Sequence, residues 1–356
     1  MAWEASRFID AGDLKMAKQR VRQALAADQK SADARFHSAR IAFLEGDLPA
    51  ALQAVNVALS IDERHRGALL LLVHIQQAQG RPDASRGRLQ SLANTYRDDL
   101  GVQLAYGELQ LAAGEHAGAR KAATRVLKKA ETSVAAMKLM ARVYLGLERP
   151  GTAEYVLQRA IELRRDPEAL LLLARIRLDE GKIVQARVLL EEAVNKVPGY
   201  LEAMNTLGVV YVDVRNFQAA ADILQRVIKA APAFAEAWLN LGSAQRGLGQ
   251  FEGAEQSWRK VLSLNGELPQ AWFNLGVLYL DNPLPGRDRI KQLGEAINAF
   301  QGYKSGGRQG VDPNVDKYIG EARLLLKQEQ ERRKEQLKQP PADDGAPPAD
   351  DGGEAT

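Results

Sequence analysis

The sequence contains no cysteine, and this absence excludes several kinds of chemistry. Without thiols the 356-residue chain can hold no disulfide framework, no thiolate nucleophile and no cysteine-ligated metal. It also lacks any run of about 18 apolar residues, so no segment is predicted to span a membrane. The formal net charge of +3 is too small to indicate nucleic-acid binding by itself.

Small residues recur through the chain with a fixed period of 34 residues, apart from one step of 33. The first column, in which Val73 fills a gap, holds Ala5, Ala39, Gly107, Ala141, Ala174, Gly208, Gly242 and Gly276. A second column runs 12 residues behind it and holds Ala17, Ala51, Ser85, Ala119, Ala153, Ala186, Ala220 and Ala254. Two columns of small residues that keep the same spacing over most of a chain predict a tandem repeat array.

Each repeat is predicted to be an antiparallel pair of helices. Large residues at repeat positions 4, 7 and 11 form one apolar helical stripe, and those at positions 20, 24 and 27 form a second. Pro49, Pro82 and Pro150 are expected at the start of the second helix, where a missing N–H costs nothing. The turn between the two helices is expected at Gly12, Gly46, Gly80, Gly114, Gly181 and Gly249.

The repeat resembles the tetratricopeptide repeat (TPR) family. The residues that carry the resemblance are clearest in 201–232 and 235–265, where Trp238, Leu241 and Gly242 stand at positions 4, 7 and 8. The resemblance covers residues 1 to about 303 as nine repeats. It implies an all-α, right-handed superhelical solenoid of about nine helix-turn-helix repeats with a C-terminal capping helix. It also implies a non-catalytic scaffold that binds other proteins.

The end of the array departs from the repeat. The position-20 alanine of the ninth repeat, Ala296, arrives eight residues late, which predicts an insertion over 281–293. The array is expected to end at 303 and to be followed by a linker over 304–314. Residues 315–338 are predicted to form a capping helix whose second half is charged. Residues 339–356 are acidic and proline-rich, and they are predicted to be disordered.

Nothing in the sequence points to catalysis, so we predict that the protein is not an enzyme and needs no metal or cofactor. The four histidines have no partner at metal-ligand spacing, and the glycine-containing stretches 181–186 and 305–310 lack the phosphate-loop pattern. No stretch has the alternating strand pattern that a separate catalytic α/β domain would need.

The TPR resemblance implies that positions 2, 5, 9, 12 and 13 of each first helix face a concave groove. These positions give a mostly apolar floor edged with arginine, which suits an amphipathic helix or extended peptide that carries acids. The alternative is that the same residues pack only between repeats. The predicted groove residues are Phe36, Arg40, Phe43, Leu70, His74, Leu104, Leu111, Lys138, Arg142, Leu171, Arg175, Asn205, Leu239 and Phe273.

Two charged features of the sequence bear on possible partners. Lys138 and Arg142 resemble one element of the carboxylate clamp of chaperone-binding TPR proteins, but the preceding repeats lack the other elements, so we do not expect chaperone-tail binding. A basic cluster on the second helix of the fourth repeat is read as a solvated surface or as a contact for an anionic partner or lipid headgroup, and without interleaved aromatics it does not favour nucleic acid. Its members are Arg120, Lys121, Arg125, Lys128 and Lys129.

A narrower resemblance concerns the last repeat. The stretch 279–307 followed by a long charged helix resembles TPR proteins of myxobacterial-type gliding-motility complexes, which implies a multiprotein assembly in the cell envelope. Met1 falls at position 4 of its repeat, so the natural chain is expected to begin upstream, and a removed export signal would place it in the periplasm. Otherwise the protein is cytoplasmic with a frayed first helix. The alternative function is an assembly or regulatory subunit of an envelope-biogenesis enzyme.

Overall fold

A computed structural model describes residues 2–264, 268–306 and 312–338. These residues form nineteen helices and no strand. In chain order the helices are α1 Ala2–Asp10, α2 Leu14–Ala27, α3 Ala32–Leu44, α4 Leu48–Ile61, α5 Arg66–Ala78, α6 Arg86–Thr95, α7 Leu100–Ala112, α8 His116–Lys129, α9 Val134–Gly146, α10 Pro150–Leu163, α11 Pro167–Asp179, α12 Ile183–Lys196, α13 Leu201–Asp213, α14 Phe217–Ala230, α15 Ala235–Gly247, α16 Phe251–Leu264, α17 Pro269–Asp281, α18 Arg289–Gly306 and α19 Val315–Lys338.

The helices alternate with great regularity, which confirms the predicted helix pairs. First helices from α3 to α17 have 13 residues each, and most second helices have 14. Many begin at a side chain that accepts a hydrogen bond from the backbone N–H three residues on, as Asp13, Ser31, Asp47 and Ser133 do. Such caps satisfy backbone donors that the first helical turn leaves unpaired.

A left-handed residue separates the two helices of most repeats. The six predicted turn glycines all have positive φ, between 68° and 81°. In the fifth and seventh repeats the same place is taken by Glu148, with φ 56°, and Arg215, with φ 58°. Glycine adopts this conformation without strain, whereas other residues do so at a cost. The turn geometry therefore persists even where its usual residue is missing.

The third repeat is irregular. Its second helix, α6, has only 10 residues and begins at Arg86. Pro82 was expected at the start of this helix, but it lies in the preceding turn, because residues 82–85 form turns rather than a helical end. Ser85 replaces the usual alanine, is buried, and donates from Oγ to Gln76 Oε1 at 2.6 Å. A buried hydroxyl needs such an acceptor, which Gln76 supplies.

The two small-residue columns lie in the core. Ala5, Ala39, Ala51 and Ala119 have no exposed surface, and the large stripe residues pack around them. Small side chains at these positions let the paired helices approach closely. The chain divides into two compact units, Met1–Lys260 and Val261–Thr356, with the boundary inside α16.

In the first unit, the beginning of the chain contacts later repeats. The backbone N–H of Gly199 donates to the carbonyl oxygen of Asp10 at 2.6 Å. A Cβ at Gly199 would lie 2.5 Å from the backbone nitrogen of Gly12, and one at Gly46 would lie 2.5 Å from Ala233 Cβ. The turns of the first two repeats therefore rest against the loops that precede α13 and α15.

The second unit contains α17, α18 and α19. The extra residues before α18 are held by Gln292, whose Nε2 donates to the carbonyl oxygens of Tyr279 and Asn282 at 2.9 and 2.6 Å. α19 packs on α18 through Val315, Ile319 and Ala322, and its second half is largely exposed. α18 includes residues 304–306 of the expected linker. Residues 307–311 and the predicted disordered tail, 339–356, lie outside the described residues.

Candidate functional site: the concave face

The first helices form one side of the first unit. Successive first helices contact one another directly, as α5 does α7 and α13 does α15, whereas second helices make their main contacts with first helices. Elements on the inside of a curved array approach each other more closely than those outside. We therefore call the surface of the first helices the concave face and that of the second helices the convex face.

The predicted groove residues fall into three groups by exposure. His74 and Arg175 are exposed, whereas Leu104 and Leu171 are buried. The remaining ten are half-buried: Phe36, Arg40, Phe43, Leu70, Leu111, Lys138, Arg142, Asn205, Leu239 and Phe273.

Three positions differ from the expectation of an open groove. Leu104 is 4% exposed and Leu171 1% exposed, because both belong to the hydrophobic clusters that join successive repeats. Phe273 belongs to the second unit, where its ring lies 5.2 Å from that of Tyr303 and 5.7 Å from that of Tyr318 on α19. We therefore exclude these three residues from the candidate surface.

Five charged residues of α7, α9 and the start of α11 form a network, which we call the concave charge ladder. Lys138 Nζ lies 2.9 Å from Asp166 Oδ1 and 2.6 Å from Glu168 Oε2. Arg142 Nη2 lies 3.7 Å from Glu168 Oε1 and also donates to Glu108. The ladder thus crosses three consecutive repeats.

Burial and pairing act in opposite directions on the acids of the ladder. Burial raises the pKa of Glu108 above its ordinary value, against the pull of the Arg142 guanidinium. Burial would also raise the pKa of Asp166 and Glu168, but the Lys138 ammonium beside them holds both below their ordinary values. Asp166 and Glu168 are therefore ionised at neutral pH and neutralise Lys138.

The arginines expected to edge the groove also have partners. Arg40 lies 2.9 Å from Asp10, and Arg175, whose side chain is 48% exposed, lies 3.5 Å from Glu202. The arginines of the concave face are therefore paired with acidic side chains and do not form an unpaired positive surface. Sequence reasoning overlooked Glu168 and Glu202, although both stand at position 2, which the resemblance had already assigned to the groove.

The described residues include neither a candidate metal centre nor a membrane-spanning helix. Within this part of the chain, no group of three or more histidines and acids is placed to hold a metal ion. Among the described helices, none is both long enough and apolar enough to cross a bilayer.

Comparison with known families agrees with this architecture. One sequence profile described as a tetratricopeptide repeat matches residues 4–65, 70–134, 205–258 and 239–307, and a second matches 110–176. The chain belongs to the tetratricopeptide repeat family. No curated protein sequence matches this TPR chain significantly.

Solved structures share the TPR fold at low sequence identity. The Cut9–Hcn1 hetero-tetramer of APC/C is 18% identical, with a TM-score of 0.65 over 87% of this chain and 59% of that one. The TPR chain thus spans less than two thirds of that relative. A TPR protein from Parabacteroides merdae is 15% identical, with a TM-score of 0.45 over 70% of this chain and 98% of that one. YrrB, described as having an unusual peptide-binding site, is 16% identical, with a TM-score of 0.40 over 51% and 95%.

TPR arrays are typically scaffolds for protein partners, and this chain has that architecture. Its stability is expected to come from contacts between neighbouring repeats, which leaves long helical surfaces available for binding.

Proposed function

We propose that this TPR protein is a non-catalytic adaptor that holds a segment of a partner protein on the concave face of its first unit. The continuity of that face carries the proposal. The concave charge ladder links α7, α9 and α11 through ion pairs that cross from one repeat to the next. An elongated partner segment would therefore meet one ordered surface rather than separate repeats.

The pairing of its charges suggests how such a surface recognises a partner. An acidic segment would have to displace the carboxylates that already neutralise Lys138 and Arg142. Attraction to unpaired positive charge is therefore not the basis of binding on this face. Half-buried Phe36, Leu70 and Leu239 supply apolar contacts. Asn240 Nδ2 donates to Asn205 Oδ1 at 3.0 Å, and one bond leaves most of the hydrogen-bonding capacity of the two amides for a partner backbone.

A pair of variants tests this proposal. In the concave variant, Leu70, Asn205 and Leu239 are each changed to alanine, and in the control the exposed convex residues Gln19 and Gln53 are changed to alanine. The tagged chains are used for affinity purification with quantitative mass spectrometry, after circular dichroism has shown equal helix content. We expect partners retained by wild type and control to be lost from the concave variant. Equal recovery from all three chains would refute the proposal.

We further propose that the adaptor serves a gliding-motility complex of the cell envelope. The resemblance of stretch 279–307, with its inserted segment, and the long charged helix after it support this proposal. The alternative is an assembly or regulatory subunit that supports an envelope-biogenesis enzyme. A deletion strain separates the two: lost gliding with normal cell-wall integrity supports the motility role, whereas an envelope defect with normal gliding supports the alternative. Recovery of the protein in the cytosolic fraction would contradict both.

A further inference from the structure

The convex helices of the first four repeats have an unusual charge composition. α2, α4, α6 and α8 contain no aspartate or glutamate, whereas α2 has four basic residues, α6 has two and α8 has five. Acidic residues return on the next convex helix, α10, with Glu154 and Glu162. Of these four convex helices, three therefore carry only positive charge and α4 carries none.

Three of the five cations of α8 differ from those of the concave face because they have no acidic partner within the described chain. Lys129 pairs with Asp98, and Arg125 donates to Gln103 Oε1 at 2.8 Å. Arg120, Lys121 and Lys128 are exposed, and no carboxylate of the described residues lies within ion-pair distance of them. Unpaired positive charge thus lies on the convex face, whereas the concave cations are already neutralised.

Exposed apolar side chains stand on the two convex helices that follow α8. Tyr155 on α10 is 74% exposed, and Val184 and Val188, one turn apart on α12, are 69% and 55% exposed. Lys121, Tyr155 and Val188 occupy the same repeat position in successive convex helices. At that position four other repeats have the polar residues Gln19, Gln53, Asp222 and Gln256. Apolar exposure here is therefore specific to α10 and α12.

We propose that these six side chains form a second binding site, the outer patch, for an acidic amphipathic polypeptide segment. Carboxylates of the partner would pair with the α8 cations while its apolar side chains cover Tyr155, Val184 and Val188. The site is separate from the concave face, so the proposal stands or falls independently of the adaptor function proposed above. The outer patch consists of Arg120, Lys121, Lys128, Tyr155, Val184 and Val188.

The chemistry of the patch favours a polypeptide over the two other common anionic partners. No aromatic residue lies between the cations of α8, so single-stranded nucleic acid would find no stacking platform there. Membrane-inserting surfaces present long side chains such as Trp, Phe and Leu. Two short, branched valines and one tyrosine offer a small apolar area that matches the side chains of a single segment.

Fluorescence anisotropy with the full chain and a model peptide tests the outer patch. The probe is a labelled peptide of alternating Glu-Glu and Leu-Leu pairs, about 20 residues long, which as a helix spans about 30 Å. Changing Arg120, Lys121 and Lys128 to glutamate should weaken peptide binding roughly tenfold at low salt. The difference in affinity between this variant and wild type should be smaller at high salt. The control changes Lys15 and Arg22, two exposed cations of α2, to glutamate and should leave affinity within about twofold.

A third variant, with Tyr155, Val184 and Val188 changed to alanine, should also weaken peptide binding. All the substituted side chains are exposed or lie on exposed helix faces, so circular dichroism should be unchanged. The proposal is overturned if the peptide does not bind, if the α2 control loses as much affinity as the α8 variant, or if the alanine variant binds as wild type does. It is also overturned if oligothymidylate or phosphatidylserine vesicles bind the patch more tightly than the peptide.

Discussion

Replacing Gly242 with alanine should destabilise the eighth repeat, because there is no room for the added methyl group. A Cβ at this position would lie 2.4 Å from Nε1 of Trp258. The indole is 1% exposed, and its Nε1 donates to the carbonyl oxygen of Leu239 at 3.0 Å. The ring cannot retreat without losing this hydrogen bond. Overpacking and a weakened hydrogen bond together should cost about 3 kcal/mol.

The chain provides its own control for this reasoning. In the sixth repeat the same two positions hold Ala174 and Leu190, and both are fully buried. Changing Trp258 to leucine alone should cost about 2 kcal/mol through the space it leaves. The double variant, Gly242→Ala with Trp258→Leu, recreates the pair of the sixth repeat. It should therefore be more stable than the sum of the single effects predicts, by about 1–2 kcal/mol.

Urea unfolding followed by far-UV circular dichroism measures these differences. Neighbouring repeats unfold with partial independence, so the shift is expected in the transition of the repeats around α15 and α16 rather than uniformly along the curve. An unchanged transition for Gly242→Ala would show that the indole moves freely. Strict additivity in the double variant would show that the two residues do not compensate each other's volume.

Three further predictions follow from other contacts. Burial lowers the pKa of His37 from 6.5 to about 4, so its neutral ring contributes stability that is complete above pH 6.5 and is lost as the pH falls towards about 4. We expect His37→Leu to remove up to about 3 kcal/mol of this acid sensitivity. Urea unfolding midpoints measured as a function of pH test this. Changing Arg142 to methionine should cost about 3 kcal/mol because Glu108 is left buried without its partner, and adding Glu108→Gln should recover most of that loss in the same unfolding assay. A Cβ at Gly12 would lie 3.8 Å from that of Ala230, a separation that suits a disulfide. In this cysteine-free chain we expect Gly12→Cys with Ala230→Cys to oxidise to a monomer that migrates faster on non-reducing gels, at a cost of about 1 kcal/mol in stability because Gly12 has a φ of 80°. Persistent free thiols would contradict the contact.

The helix pairs were predictable because the repeat imposes the same packing problem every 34 residues. Alanine or glycine at two fixed positions is what close helix approach requires, and the fully buried Ala17, Ala51 and Ala119 show it. The repeat also explains why Glu148 and Arg215 could replace glycine without moving the turn: the packing of the two flanking helices fixes the left-handed residue between them.

The candidate site was less predictable, because a residue's position in the repeat does not say which side chains of adjacent repeats pack against it. Position 5 holds Leu70, half-buried, and Leu171, almost fully buried, and the sequence does not distinguish them. Contacts between residues far apart along the chain, such as the hydrogen bond from Gly199 to Asp10, also could not be predicted from the sequence. Their geometry depends on the curvature that many repeats build up together, and no local pattern encodes that curvature.

Site-specific photo-crosslinking in cells tests most directly whether the concave face binds the partner. A photoreactive amino acid is placed at His74, an exposed position on the concave face, and in a control chain at Gln53 on the convex face. We predict that one protein partner becomes covalently attached at His74 but not at Gln53. Crosslinks from Gln53 and none from His74 would contradict the account and assign partner binding to the convex face.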